Sequence, residues 1–183
     1  MRISQQGLLA VLLISAGAMP ATAQLVSGGG ETFIAGGFGD PPQPLKSHFA
    51  FRIDRAADGT VSGNFDCLAL APTADTGAFT GQFTRNVMYV TGKITTLDLI
   101  SDDTARFSGT ATVTGIGAGP NLPFDCEVTP GPGVSGKPGV GVTAGDAGAT
   151  MTLVVSGLTF NEVVTNGAIR INLPKERKGR RKK

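Results

Sequence analysis

Few residues in this chain could do acid–base or nucleophilic chemistry. His48 is the only histidine among 183 residues, so a nucleophilic enzyme would have to use it as its base. Serines and aspartates are plentiful, and a small hydrolase using His48 with a loop carboxylate can be assembled from them. No G-x-S-x-G turn accompanies such a triad. Period-two alternation sets His48 on a polar strand face with Arg52 and Asp54, and its neighbours Ser47 and Phe49 offer no carboxylate to orient the ring. The sequence therefore assigns no catalytic residue, and an enzyme is the lesser reading.

The carboxylates were weighed for sugar hydrolysis and for calcium. Asp102 and Asp103 are adjacent, while Asp66, Asp125 and Glu127 fall on outward strand positions near the cysteines. Glycoside hydrolysis needs a cleft with aromatic platforms, but there is no Trp and the ten Phe fall mostly on inward positions. Calcium needs six to eight oxygens from a built loop, and Asp102-Asp103 reads more simply as a turn. Gly28-Gly-Gly30 lacks the strand-then-helix setting of a phosphate cradle. No metal ligand and no cofactor-binding residue is assigned.

Cys67 and Cys126 each close a Phe-Asp-Cys triplet, Phe65-Asp66-Cys67 and Phe124-Asp125-Cys126, which puts both sulfurs on inward faces. An even cysteine count in an exported chain points to a disulfide between them. Closing a loop of about 60 residues would stabilise the fold by roughly 4 kcal/mol on chain entropy alone.

The two ends carry opposite messages. Arg2, the apolar run GLLAVLLISAGA and the A-x-A site Ala21-Thr22-Ala23 read as a secretory signal peptide over residues 1–23, cleaved between Ala23 and Gln24. Its apolar core is shorter than the ~20 residues that span a bilayer, and no later segment is long and apolar enough to do so. The mature chain is therefore expected to have no transmembrane segment and to be periplasmic, cell-surface or secreted. At the other end, Lys175-Glu-Arg-Lys-Gly-Arg-Arg-Lys-Lys183 carries a net +6, against −5 for residues 24–174. Self-repulsion should keep residues 175–183 disordered, and such a tail could touch an anionic surface or polymer.

Positions that share a face must be set by the elements between these ends, and those elements are strands. Gly and Pro make up 27 and 11 residues, charge is only 16% and mean hydropathy is +0.11, a turn-rich composition that can still bury a core. Phe49, Phe51 and Ile53 alternate with polar residues, then Asp58-Gly59 marks a hairpin returning through Val61, Gly63, Phe65, Cys67 and Ala69. Ala105 to Val113, Leu122 to Val128 and Met151 to Val155 repeat the pattern. Residues 87–100 slip in parity, with Val87, Tyr89, Leu97 and Leu99 on one face and Val90, Ile94 and Ile100 on the other. A bulge near Gly92 would reconcile them. Asn166-Gly167 is a type I′ signal, so residues 162–165 should pair across it with a last strand of Ile169, Ile171 and Leu173.

These segments, about eight or nine strands, describe one all-β domain over residues 24–174. It is an antiparallel meander, either an up-and-down barrel-like form or a two-sheet sandwich, with the inward glycines favouring the barrel. Residues 40–44 form a stiff proline loop, and residues 130–149, with seven glycines and three prolines, are too long for an ordinary hairpin. Specific recognition is expected from these two loops.

The order of short motifs carries a resemblance. Val26-Ser-Gly-Gly-Gly30 is followed by Phe49-Ala-Phe51 and Gly59-Thr-Val-Ser-Gly63. Then come Phe107-Ser-Gly-Thr-Ala-Thr-Val113, Leu122-Pro-Phe124 with Val128-Thr129, and Pro130-Gly-Pro-Gly133. Over most of residues 25–173 this resembles the small all-β domain of bacterial exported proteins found downstream of choice-of-anchor surface domains, the post-choice-of-anchor (post-COAP) type. That family has no assigned catalytic residues, so no site carries over. The resemblance implies an envelope or secreted β module with an unknown ligand, in a binding or structural role.

Overall fold

The computed structural model describes residues 23–38, 43–73, 82–131 and 148–172. They form eight strands: β1 (Ala23–Phe38), β2 (Gln43–Arg55), β3 (Val61–Pro72), β4 (Phe83–Ser101), β5 (Thr104–Gly115), β6 (Gly119–Thr129), β7 (Thr150–Val155) and β8 (Leu158–Ile171). Each pairs antiparallel with the next, and β8 pairs back onto β1, closing an up-and-down barrel. Among the described residues there is no helix. Closure decides between the two architectures left open by the sequence. Residues 1–22 with the expected signal peptide, loop residues 39–42 and 132–147, and Leu173 with residues 174–183 lie outside the described residues.

The alternation is followed closely. Phe49, Phe51 and Ile53 of β2, Phe65, Cys67 and Ala69 of β3, and Ala105, Phe107, Ala111 and Val113 of β5 all point inward and are buried. So are Phe124, Cys126 and Val128 of β6 and Met151, Leu153 and Val155 of β7. The Asp58-Gly59 turn forms as expected: Gly59 has φ +90°, and the Thr60 amide donates to Asp58 Oδ1 at 2.9 Å. An eight-stranded barrel is just wide enough for side chains to fill it. Here Phe49, Phe51, Phe65, Phe107 and Phe124 fill much of it, their rings 5.0–6.4 Å apart in stacked, tilted and edge-on pairs.

Two local expectations are corrected. Gly92 holds no bulge: it sits in regular register between Phe65 and Ala111, and a Cβ there would come within 2.8 Å of the Phe124 ring. The parity slips instead between Ile94 and Thr96 against β5, and near Met88 against β3. Met88, Val90, Ile94 and Leu97 thus face inward, while Tyr89 and Ile100 are exposed. Second, Asn166-Gly167 makes no hairpin. β8 runs unbroken through it, and the dipeptide serves a register shift opposite Glu31 and Thr32. The β7–β8 turn is Ser156-Gly157, whose φ values of 55° and 73° give the two left-handed residues of a type I′ turn. The glycine-rich segment 26–30 lies within a long strand, β1. Glycine is needed there because Gly30 and Gly167 face each other across the closing seam. A Cβ on Gly167 would lie 2.2 Å from the Gly29 carbonyl oxygen.

Candidate functional site

His48 lies on the outer wall of β2, its side chain about half exposed. The β1–β2 register sets Glu31 directly opposite, with His48 Nδ1 3.6 Å from Glu31 Oε1. The carboxylate that sequence neighbours could not supply therefore comes from β1. It is already engaged: Lys46 Nζ stands 2.7 Å from Glu31 Oε2, and that hydrogen bond holds the Glu31 carboxyl below its ordinary range. The rest of the cross-strand row holds Asn166, Leu68 and Tyr89, none of them a serine or cysteine nucleophile. The geometry supplies a base and an orienting acid on an open wall, without the third member.

The other carboxylates are dispersed among structural partners. Asp66 accepts the Tyr89 hydroxyl at 3.0 Å, which raises the phenol's pKa. Asp125 receives Arg106 Nε at 2.8 and 2.9 Å, and Glu127 stands opposite Arg106 in the β5–β6 register. Asp102 and Asp103 occupy the exposed β4–β5 turn, where Asp103 accepts the Ser101 hydroxyl. Such pairs cap and lace the outer wall; at this exposure each contributes little to stability.

Cys67 and Cys126 both face the interior and are buried, and the structure shows no bond between them. They stand on β3 and β6, strands that are not neighbours in the barrel. Burial pushes both thiols well above their ordinary pKa, and the nearby Glu162 carboxyl adds to the effect.

Glu162 is the chemically unusual group of the interior, and the sequence reading missed it. It is 3% exposed on β8, inside the barrel, and accepts a hydrogen bond from Thr32 Oγ1 of β1. Ser47 of β2, fully buried, also faces this carboxyl, although its Oγ lacks the geometry of a formed hydrogen bond. Burial pushes the Glu162 pKa up to about 7, and the two hydroxyls pull partly the other way. Glu162, Ser47 and Cys67 line a cavity of about 10 Å³ with Ile34, Met88 and Phe160, space on the order of a single water. The signal was available: Glu162 alternates in phase with Phe160 and Val164, an apolar row on one side of the strand.

Comparison with protein-family models, with curated proteins and with solved structures finds no match to this chain. Among the described residues, no helix is long and apolar enough to cross a membrane. The barrel wall carries Lys46, Arg52, Asp54, Lys93, Arg106 and Glu127 outward, while Phe49, Phe51, Phe65, Phe107 and Phe124 are buried inside it.

Proposed function

We propose that the protein is an exported, non-enzymatic β module with a binding or structural role at the cell envelope or outside the cell. The supporting observation is the division of the barrel into a filled interior and a polar wall. Phenylalanines occupy the space where a lumenal ligand would sit, and His48 stands in the open, tied through Glu31 to Lys46. The A-x-A site Ala21-Thr22-Ala23 supports cleavage between Ala23 and Gln24, and Leu25 and Val26 just beyond it are core. The resemblance to the post-choice-of-anchor domains accords with the same role. Residues 175–183 carry a net +6. We assign to that tail weak contact with anionic surfaces, which should fade between low and physiological salt.

One observation favours a second reading, a small hydrolase: the His48–Glu31 pair. Esterase, protease and glycosidase assays on wild type and His48→Ala separate the two. No turnover by either protein supports the module. An activity abolished by His48→Ala, with the barrel intact by circular dichroism, would establish the hydrolase.

A further inference from the structure

The outer wall of β2–β5 is not uniformly convex. At Gly63 and Gly109, both in register with Ile94, neighbouring backbones approach so closely that a Cβ on Gly109 would lie 1.8 Å from the Lys93 carbonyl oxygen. Over this pinch the wall carries two outward clefts. One, of about 340 Å³, is lined by Asn64, Asp66, Thr91, Lys93, Thr110 and Asn121 among others. The second, of about 390 Å³, continues it toward Arg52 and Asp54 and shares Asn64 and Lys93 with the first. Together they form one trough across five strands, β2 to β6.

The chemistry of this trough is specific. Its charges are two bases, Arg52 and Lys93, and two acids, Asp54 and Asp66, so it presents no net charge. Each is also engaged within the wall: Arg52 Nε with Asp54 at 3.1 Å, Lys93 Nζ with Asn64 Oδ1 at 2.6 Å, and Asp66 with Tyr89. An ionic ligand would have to break these pairs, with no surplus charge to receive it. Hydroxyls and amides remain on offer. Asn121 holds φ 52° where β6 carries two residues, Pro120 and Asn121, opposite one of β5; such bulges re-aim side chains, and this one borders the cleft. An extended peptide finds no backbone edge to pair with, because the barrel is closed.

We propose that this trough binds a neutral, hydroxyl-rich chain, an uncharged oligosaccharide, held by side-chain hydrogen bonds from Asn64, Thr91, Thr110 and Asn121. The inference rests on the module reading above and names its ligand class. Without an aromatic platform, affinity should be modest, with Kd on the order of 1 mM.

The test is amide NMR titration of the mature full chain with neutral hexasaccharides of glucose, mannose and N-acetylglucosamine, and with an anionic hexuronate for comparison. Shifts from a neutral sugar confined to the trough are the expected result. They should weaken about three- to tenfold in Thr110→Val and in Asn121→Gly, which suits the left-handed backbone. Thr152→Val, on β7 outside the trough, should bind as wild type does. Absence of shifts with every neutral sugar, shifts elsewhere on the barrel, or stronger binding of the hexuronate would overturn the proposal. Cleavage of the sugars in the same samples would instead overturn the non-enzymatic reading.

Discussion

Thr32 Oγ1 donates to Glu162 Oε2 inside the barrel, joining residues 130 positions apart across the seam that closes it. The contact puts an ionisable group where only a hydroxyl from the neighbouring strand offers a formed hydrogen bond. Its consequence is a link between protonation and folding.

The Glu162 pKa is raised to about 7 in the folded chain, from an ordinary 4.5. The folded state therefore holds its proton more tightly than the unfolded state does. The stabilisation is complete below about pH 4.5 and is lost as pH rises through about 7. Urea unfolding should show stability falling by up to about 3 kcal/mol across that window. Cys67 and Cys126, which face the same carboxyl, stay neutral throughout. Glu162→Gln should flatten the dependence, matching wild type near pH 4.5 and exceeding it at pH 8. An unchanged slope in Glu162→Gln would show that another group is responsible.

Phe107 touches three other rings, Phe51 at 5.0 Å, Phe65 at 5.9 Å and Phe124 at 6.4 Å between centroids. Phe107→Ala should lower unfolding free energy by about 3–5 kcal/mol, the range for emptying a buried aromatic site. Equilibrium urea denaturation measures this directly. A loss under about 1 kcal/mol would mean that the interior repacks around the gap.

Gly157 and Gly167 both have positive φ, but only Gly167 also faces backbone at 2.2 Å. Gly157→Ala should cost about 1–2 kcal/mol, the penalty of a left-handed residue with open space around it. Gly167→Ala should cost more and act locally. Hydrogen exchange should accelerate at β1 and β8 amides ahead of those in β3 and β4. Equal effects of the two substitutions would remove the seam's special status.

The structure holds no bond between Cys67 and Cys126, and two free sulfhydryls are expected when the unreduced protein is unfolded and titrated. In the folded protein both should react slowly with alkylating reagents, because burial keeps them as neutral thiols. A titration finding none would show that the walls bearing β3 and β6 draw together in solution.

Much of the barrel was legible before any coordinates. Side-chain period is a local property of a strand, so Phe49, Phe65, Phe107, Phe124 and Leu153 declared their inward faces, and Asp58-Gly59 its turn. The polar outer positions of His48, Arg52, Asp125 and Glu127 followed from the same parity. Closure is not local. It depends on β1, whose Gly28-Gly-Gly30 run lacks strand propensity and is extended only because β2 and β8 hold it on both sides. The same seam turned Asn166-Gly167 from a hairpin signal into a register shift, since a glycine that permits a turn also permits close approach of two backbones. Tertiary pairing alone set Glu31 beside His48, Thr32 beside Glu162, and Cys67 and Cys126 on separate walls. The sequence determined which way each strand faces; only the closed barrel decided which faces meet, because register between distant strands is fixed by packing and closure rather than by alternation along either one.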